Sequence, residues 1–215
     1  MTNVILPVLN EAPAIPKVLA HLPAGFDPLI VDNGSTDDSG RIAEALGARV
    51  VYQPLPGFGA ACWAGVVAAN SEVVAFMDCD GSLDPAELPG VTDPIENDDV
   101  DLMIGVRRAE SGAWPVHARV ANSALARIVS RKTGLTVSDL GPMRAARRSE
   151  LLALGLRDRR FGWPLEMVLK AHAAGWRIGT TDVTYARREG RSKVTGTARG
   201  TLRTIADMSR VLLQA

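Results

Sequence analysis

One short stretch constrains the fold more than any other: an apolar run that ends in a pair of acids. Residues Val73 to Met77 are apolar, and they lead directly into Asp78 and Asp80, which Gly81 follows. A continuous apolar run of this length, bounded by polar and turn residues, predicts a strand that is buried on both faces. The two carboxylates would then lie at the carboxyl end of the strand, where open α/β sheets bind their ligands.

The acid pair also indicates a chemistry. Two carboxylates this close raise each other's pKa unless a cation lies between them. Hard oxygen ligands suit Mg²⁺ or Mn²⁺, and such ions usually complete their coordination with water and substrate phosphates. We therefore expect Asp78 and Asp80 to hold a divalent metal against a diphosphate. An acidic surface turn is the alternative.

The rest of the chain predicts a single α/β domain. Its 215 residues suffice for one large domain, and 47% of them are hydrophobic, as in an ordinary globular protein. Apolar strand-like segments alternate with helical ones through the first half, which favours a mostly parallel central sheet flanked by helices. The predicted strands lie at 4–6, 29–31, 48–52, 73–77 and 102–108.

The second half of the chain has a different pattern. Residues 119–131 predict an amphipathic helix with Val120, Leu125, Ile128 and Val129 facing inward. A strand and turn are expected at 136–142, and a helix at 144–154. A last amphipathic helix either packs on the core or lies on a membrane surface. Its apolar residues are Leu202, Ile205, Met208 and Leu212, and its arginines are Arg199, Arg203 and Arg210.

Composition indicates which kinds of partner the protein could bind and in which cell compartment it lies. The chain has 24 Lys and Arg residues and 24 Asp and Glu residues, so its charge predicts no nucleic-acid partner. Cys62 and Cys79 lack metal-ligand spacing and are expected to be buried, reduced thiols. The sequence has no signal-peptide pattern and no apolar run long enough to span a bilayer. We expect a cytoplasmic protein, with any membrane contact peripheral and at the inner face.

A glycine pair suggests a rival cofactor. Gly57 and Gly59 partly match a dinucleotide-binding fingerprint, but Cys62 occupies the position of the third glycine. We therefore favour close packing of these glycines against the sheet. A dinucleotide oxidoreductase is the weakest of the alternatives.

Several motifs occur in one order along nearly the whole chain. They are Pro7-x-x-Asn10-Glu11, Asp32-Asn33-Gly34-Ser35, Gly57-x-Gly59, Asp78-x-Asp80, Gly105-x-Arg107, Asp139-Leu140-Gly141-Pro142 and Gly190-x-Ser192-Lys193. In this order and spacing, the chain resembles family 2 glycosyltransferases of the GT-A fold. Within that family it is similar to polyprenyl- or dolichyl-phosphate sugar synthases without their transmembrane helices.

The resemblance implies roles for individual residues. The nucleoside of a donor would contact Pro7, Leu9, Glu11 and Asp32, and the metal, Mg²⁺ or Mn²⁺, would contact Asp78 and Asp80. The acceptor or the phosphates would contact Arg107, Arg119, Arg187, Ser192 and Lys193. Glu166 and Asp139 are the two candidate catalytic acids.

The resemblance also implies an activity: inverting transfer of a hexose from a nucleotide-diphosphate sugar of the UDP-glucose or GDP-mannose type. The many arginines after Arg107 favour a polyprenyl phosphate as acceptor, which needs positioning rather than a base. Transfer to a soluble sugar or small-metabolite hydroxyl would instead need Glu166 or Asp139 as the base. A sugar-phosphate nucleotidyltransferase and a non-catalytic nucleotide-sugar-binding protein are the remaining alternatives.

The single domain, 1–215, is expected to divide by function. Residues 1–105 would bind nucleotide and metal, residues 106–200 would bind the acceptor, and residues 201–215 would form the amphipathic helix. The sequence leaves a homodimer open.

Overall fold

The computed structural model describes residues 1–189 and 198–214, which form helical layers around one sheet. Within these residues the sheet has seven strands: β1 (Thr2–Val8), β2 (Phe26–Asp32), β3 (Arg49–Tyr52), β4 (Val73–Phe76), β5 (Leu102–Ala109), β6 (Arg144–Arg147) and β7 (Ile178–Tyr185). The helices of the same residues are α1 (Ile15–Ala20), α2 (Ser39–Ala45), α3 (Phe58–Ala68), α4 (Pro89–Glu96), α5 (Val116–Thr133), α6 (Arg148–Ala153), α7 (Trp163–Ala173) and α8 (Ala198–Gln214).

The sheet is mostly parallel, as the sequence predicts. Its strand order is β3-β2-β1-β4-β6-β5-β7. The strands β1, β2, β3 and β4 run parallel to one another, and β6 runs antiparallel to both β4 and β5. The carboxyl ends of β1, β2 and β4 therefore meet at one edge of the sheet, which is where ligands bind in such folds.

Strand β6 is the main departure from the predicted elements. The helix predicted over 144–154 is wrong in its first part, because Arg144–Arg147 forms a strand and the helix starts after it. Alanine favours helices, so Ala145 and Ala146 mislead a reading based on local propensity. Both are fully buried between β4 and β5, where pairing of the backbone outweighs that preference. The strand predicted at 136–142 is also wrong, since that segment is irregular.

Alternation along β1 shows how the sheet separates two hydrophobic clusters. Ile5 belongs to the cluster formed with α3, α5 and α7. Val4 and Leu6 belong to the cluster on the other face, formed with α1, α2 and α4. Successive side chains of a strand point to opposite faces, so the central strands are buried on both sides. The neighbouring strand β4 is the buried strand that the apolar run predicts, and the acid pair follows its end.

The surface helices α5 and α8 complete the comparison. Val120 and Ile128 of α5 are 62% and 43% exposed, so the prediction that they face inward is wrong. The same prediction is confirmed for Val129, which is buried, and for Leu125, which packs partly buried against the core. Helix α8 packs on the core through Val211, which is the first of its two expected arrangements. Among the described residues, no helix is both long enough and apolar enough to cross a membrane.

Gly57 and Gly59 do serve close packing, but against a loop rather than the sheet. A Cβ atom on Gly57 would lie 2.1 Å from the carbonyl oxygen of Arg159. One on Gly59 would lie 2.6 Å from the carbonyl oxygen of Asp158. The start of α3 is therefore clamped to the loop before α7. Both cysteines are buried free thiols, as predicted.

We predict that Gly57→Ala destabilises the protein more than Gly25→Ala does. Both glycines have positive φ values, 144° and 94°, but a Cβ on Gly25 would meet nothing within 4 Å. Alanine at either position would have backbone strain, but only alanine at Gly57 would also clash with Arg159. We expect the free energy of unfolding to fall by about 3 kcal/mol for Gly57→Ala and about 1 kcal/mol for the control. Urea denaturation measures both free energies of unfolding. Equal losses would contradict the close packing of Gly57 against Arg159.

Candidate active site

The end of β4 positions the acid pair. All four residues of β4 are buried, and Asp78 and Asp80 follow its carboxyl end. Gly81 has a φ of 77°, which permits the sharp turn that follows. Asp80 Oδ1 accepts hydrogen bonds from the backbone N–H (2.9 Å) and the hydroxyl (2.5 Å) of Ser82. One oxygen of Asp80 therefore holds the turn, which leaves Oδ2 for a cation.

A guanidinium reaches this carboxylate from the segment after β7. Arg188 Nη2 lies 3.2 Å from Asp80 Oδ2 and 3.1 Å from Glu11 Oε1, so it bridges two acids. The N–H of Glu189 donates a hydrogen bond to the Asp80 carbonyl (2.8 Å) and holds the segment in place. Arg188 Nε is buried without a hydrogen-bond partner among the described residues. A buried donor left unused beside two acids is consistent with a site that takes a further, anionic ligand.

The sequence indicates this segment but not the residue that contacts the acids. The basic run that begins at Arg187 predicts phosphate contacts, yet a run of similar side chains does not show which one faces the site. Arg187 is exposed, and its half-buried neighbour Arg188 makes the contacts. Ser192 and Lys193 lie outside the described residues.

The surroundings of Asp78 suit a divalent metal. Burial and the nearby charge of Asp80 raise the pKa of Asp78 to about 7, while Arg107 and Arg188 oppose the rise. A divalent cation would remove the repulsion between the two carboxylates. Within residues 1–189 and 198–214, no group of three or more His, Cys, Asp or Glu side chains could form a metal site. Two carboxylates with ligand phosphates and water are a donor set typical of Mg²⁺ or Mn²⁺.

The predicted nucleoside contacts lie at the same edge of the sheet. Val8 pairs with Asp32 across the parallel strands β1 and β2, so the two strands end side by side. Asp32 is 5% exposed, and its Oδ1 accepts two backbone N–H bonds (3.1 and 2.8 Å) from the turn that follows. Pro7 is half-buried, Leu9 is exposed and Glu11 is buried. The fold thus places these predicted residues beside one another, near the acid pair.

Two of the predicted acceptor arginines, Arg107 and Arg119, line one cleft of about 580 Å³, and the third, Arg187, does not. The guanidinium carbon of Arg107 lies 3.9 Å from the centre of the Trp114 ring and 5.4 Å from that of Tyr185. Arg119 reaches the cleft from the first turns of α5. The lining residues are Val106, Arg107, Arg108, Ala109, Glu110, Trp114, Arg119, Asn122, Ser123, Ser138 and Asp139. One arginine held beside two aromatic rings, with a second, exposed arginine in the same cleft, suits an anionic group attached to an apolar body.

Tyr185 connects this cleft to the acid pair. Its backbone pairs with Leu83 of the turn that follows the acid pair, and the N–H of the next residue, Ala186, donates a hydrogen bond to the Ser82 carbonyl (2.8 Å). Burial and the charge of Asp80 raise the pKa of the Tyr185 hydroxyl. Sequence reasoning missed both Tyr185 and Trp114, because an aromatic residue at the end of a strand or in a loop carries no distinctive spacing. The cleft and the acid pair are therefore parts of one site.

Asp139 holds Arg107 rather than standing free. Its Oδ2 accepts hydrogen bonds from Arg107 Nε (2.8 Å) and N–H (2.9 Å), and its Oδ1 accepts one from Nη2 (2.7 Å). The buried guanidinium of Arg144 fixes the following turn by donating to the carbonyls of Leu140 and Gly141 (both 3.1 Å). These contacts favour a positioning role for Asp139. Its role as a catalytic base stays a prediction.

Glu166 is likewise occupied. The backbone N–H of Arg157 donates to both Oε1 and Oε2 (2.9 and 3.0 Å), and that of Asp158 donates to Oε2 (2.7 Å). Lys170 Nζ lies 2.9 Å from Oε1. Burial alone would raise the pKa of Glu166, but these donors bring it below its ordinary value. The contacts favour a structural role at the start of α7, and the role as a base stays a prediction here too.

The fold and the site together define a class of protein. A mostly parallel sheet with one antiparallel strand, an Asp-x-Asp pair at a central strand end and an adjoining arginine-lined cleft are typical of GT-A transferases. The sequence pattern described as "Glycosyl transferase family 2" matches residues 3–154. The chain belongs to glycosyl transferase family 2.

Two relatives illustrate the range of the family. An uncharacterized glycosyltransferase of Mycobacterium tuberculosis is 46% identical over 212 residues, which cover 98% of this chain and 97% of that protein. A dolichyl-phosphate hexose transferase of Haloferax volcanii is 32% identical over 195 residues, covering 89% of this chain and 85% of that protein. The similarity therefore spans nearly the full length of both relatives.

A solved structure shares the fold. Glucosyl-3-phosphoglycerate synthase from M. tuberculosis, in complex with Mn²⁺, uridine diphosphate and phosphoglyceric acid, superposes with a TM-score of 0.72 at 25% identity. The match covers 100% of this chain and 78% of the synthase. The names of these two proteins thus refer to different acceptors, dolichyl phosphate in one and 3-phosphoglycerate in the other.

We predict that Asp78→Asn changes how the stability of the metal-free protein depends on pH. The folded state raises the pKa of Asp78 from 3.8 to about 7, so it binds a proton more tightly than the unfolded state does. Wild-type stability should therefore fall as the pH rises from about 4 to about 7. The neutral asparagine removes this loss. We expect a gain of about 2 kcal/mol at about pH 8, after allowing for partial exposure, and almost none at about pH 4.

Urea denaturation in the presence of a chelator measures this difference at both pH values. Asp84→Asn is the matched control, because Asp84 lies in the same turn region but is exposed. A gain for Asp78→Asn that is equal at both pH values would show that the charge of Asp78 is not the cause.

Proposed function

We propose that the protein is an inverting, metal-dependent hexosyltransferase that transfers a hexose from a nucleotide-diphosphate sugar to a polyprenyl phosphate. The observation that carries the proposal is the continuity between the acid pair and the cleft that holds Arg107 and Arg119, which Tyr185 joins through its contacts with Arg107 and Leu83. A donor diphosphate and an acceptor phosphate would then lie on either side of one reacting carbon.

The donor side rests on the strand ends. Pro7, Leu9, Glu11 and Asp32 would contact the nucleoside of a UDP-glucose or GDP-mannose type donor. Asp78 and Asp80 would hold Mg²⁺ or Mn²⁺, which supplies positive charge to the diphosphate as it departs. The synthase of similar fold, crystallised with Mn²⁺ and uridine diphosphate, supports this assignment. Arg188, whose Nε has no partner among the described residues, is our candidate for a direct contact with the diphosphate.

The proposal of a phosphate acceptor rests on the contacts of the two candidate bases, Asp139 and Glu166. A hydroxyl acceptor would need a carboxylate to take its proton. Asp139 is bonded to Arg107, and Glu166 is bonded to the loop before α7 and to Lys170. A phosphate acceptor is already ionised and needs only positioning, which arginines provide. The occupied carboxylates therefore favour a phosphate over a hydroxyl.

The proposed reaction is a single displacement. An oxygen of the acceptor phosphate forms a bond to the anomeric carbon while the bond from that carbon to the donor diphosphate breaks. The electron pair of the broken bond leaves with the nucleoside diphosphate, and the configuration at the carbon inverts. Arg107 and Arg119 would hold the attacking phosphate in line, and no proton has to move for the bond to form.

We predict that Asp80→Ala abolishes Mn²⁺-dependent binding of UDP or GDP, because it removes one of two carboxylates that would hold the metal. Isothermal calorimetry with and without Mn²⁺ measures the binding. Asp84→Ala is the control, since it removes an exposed carboxylate four residues away, and it should bind like wild type. Equal, metal-independent binding by wild type and Asp80→Ala would overturn the metal assignment.

The acceptor is tested by transfer of labelled sugar from UDP-glucose or GDP-mannose. Polyprenyl phosphate and 3-phosphoglycerate are offered in parallel to the wild-type protein. Product with polyprenyl phosphate alone supports the proposal. Product with 3-phosphoglycerate alone would assign the protein to the soluble-acceptor alternative.

We predict that Glu166→Gln keeps kcat within about threefold of wild type, because a phosphate acceptor needs no base. The same variant should lower the free energy of unfolding by about 1–2 kcal/mol, since it weakens the bonds to Arg157, Asp158 and Lys170. Steady-state kinetics and urea denaturation measure the two effects. A loss of kcat on the order of 100-fold with normal folding would instead identify Glu166 as the base.

A further inference from the structure

We propose that the outward face of α5 binds an anionic lipid surface and presents the adjoining cleft to it. Three large apolar side chains on this helix are exposed: Val116 (66%), Val120 (62%) and Ile128 (43%). With Ala124, which is also exposed, they are spaced four residues apart. Residues four apart on a helix are neighbours, so they form one continuous apolar row that the core does not cover.

A basic row runs beside the apolar one. Arg119, Arg127 and Arg131 are exposed and follow the same spacing of four residues, with Ser123 between them. The sequence of α5, Val116–Thr133, contains no Asp or Glu, and Lys132 adds a further positive charge near its end. Apolar and basic rows side by side, without acidic residues, are typical of helices that lie in the interface of an anionic membrane.

The position of α5 links this face to the site. Arg119, Asn122 and Ser123 of its first turns line the acceptor cleft, together with Trp114 just before the helix. A helix lying flat on a bilayer would therefore bring the mouth of the cleft to the headgroups.

The end of α8 joins the same region. Lys132 Nζ donates a hydrogen bond to the carbonyl of Leu212 (2.9 Å), so the C-terminal ends of α5 and α8 are in contact. Leu213, the next residue, is 88% exposed. Leu213 of α8 thus extends the apolar surface of α5 at the C-terminal end of that helix.

The charge pattern favours a lipid surface over a protein partner. Protein interfaces have a core depleted of charge, whereas here a row of arginines runs beside the apolar row along the helix. The inference deepens the proposed function, because it rests on a lipid-linked phosphate reaching the cleft. Its test nevertheless uses vesicles that contain no polyprenyl phosphate and no donor, so surface binding is measured apart from transfer.

Co-sedimentation with vesicles tests the proposal on the full chain. Vesicles of phosphatidylcholine alone are compared with vesicles that also contain phosphatidylglycerol. Arg127→Gln with Arg131→Gln should weaken binding to the anionic vesicles by about 25-fold, because each arginine near an anionic surface contributes about fivefold. Val120→Asp should weaken it by at least about tenfold. Val67→Asp is the matched control, because Val67 of α3 is 54% exposed and lies outside α5, and it should bind like wild type.

The outcomes separate this inference from the proposed function. Selective loss with the α5 variants, together with unchanged thermal unfolding and nucleotide binding, supports the lipid surface. Equal binding to both vesicle types, or equal loss with Val67→Asp, would overturn it. Size-exclusion chromatography that shows a dimer dissociating in Val120→Asp, without vesicle binding by wild type, would also overturn it and assign the face to a second copy. Calorimetry of UDP or GDP binding by the α5 variants shows whether the nucleotide site is intact when vesicle binding is lost.

Discussion

Negative charge at the carboxyl end of β4 is the constraint on which the rest of the site depends. Asp78, Asp80 and Glu11 lie close enough to influence one another, and burial makes that repulsion stronger than it would be in water. Arg188 bridges Asp80 and Glu11, and Arg107 faces Asp78 from the cleft. These arginines offset part of the negative charge, and the proposed metal would offset more of it.

The arginines of this region have different roles. Arg144 is 1% exposed and donates to backbone carbonyls, so it builds the turn that carries Asp139. Asp139 in turn holds Arg107 at a fixed position between two aromatic rings. Arg188 alone combines an acidic partner with a buried, unused Nε among the described residues. Arg144 therefore has a structural role in the core, Arg107 is held at the cleft, and Arg188 is the arginine available to a ligand.

Much of the proposed donor side could be predicted from sequence, and much of the proposed acceptor side could not. The strand, the turn and the acids of residues 73–82 are contiguous, so local pattern and strand-end geometry are sufficient. Arg107 and Asp139 are 32 residues apart, and their bidentate contact depends on strand pairing that no local pattern encodes. The contact of Glu166 with the loop before α7 has the same cause. A carboxylate in a sequence does not show whether its oxygens are free.

The sequence alone determined the family, the mostly parallel sheet and the acid pair, because each depends on short-range patterns of apolar and polar residues. Only the tertiary structure decided that Ala145 and Ala146 form a central antiparallel strand, since burial between two strands overrides their helical preference. It also decided that Val120 and Ile128 of α5 face outward, because the core already fills the other side of the helix. Periodicity shows that a helix has two faces, but only packing against the rest of the chain selects the buried one.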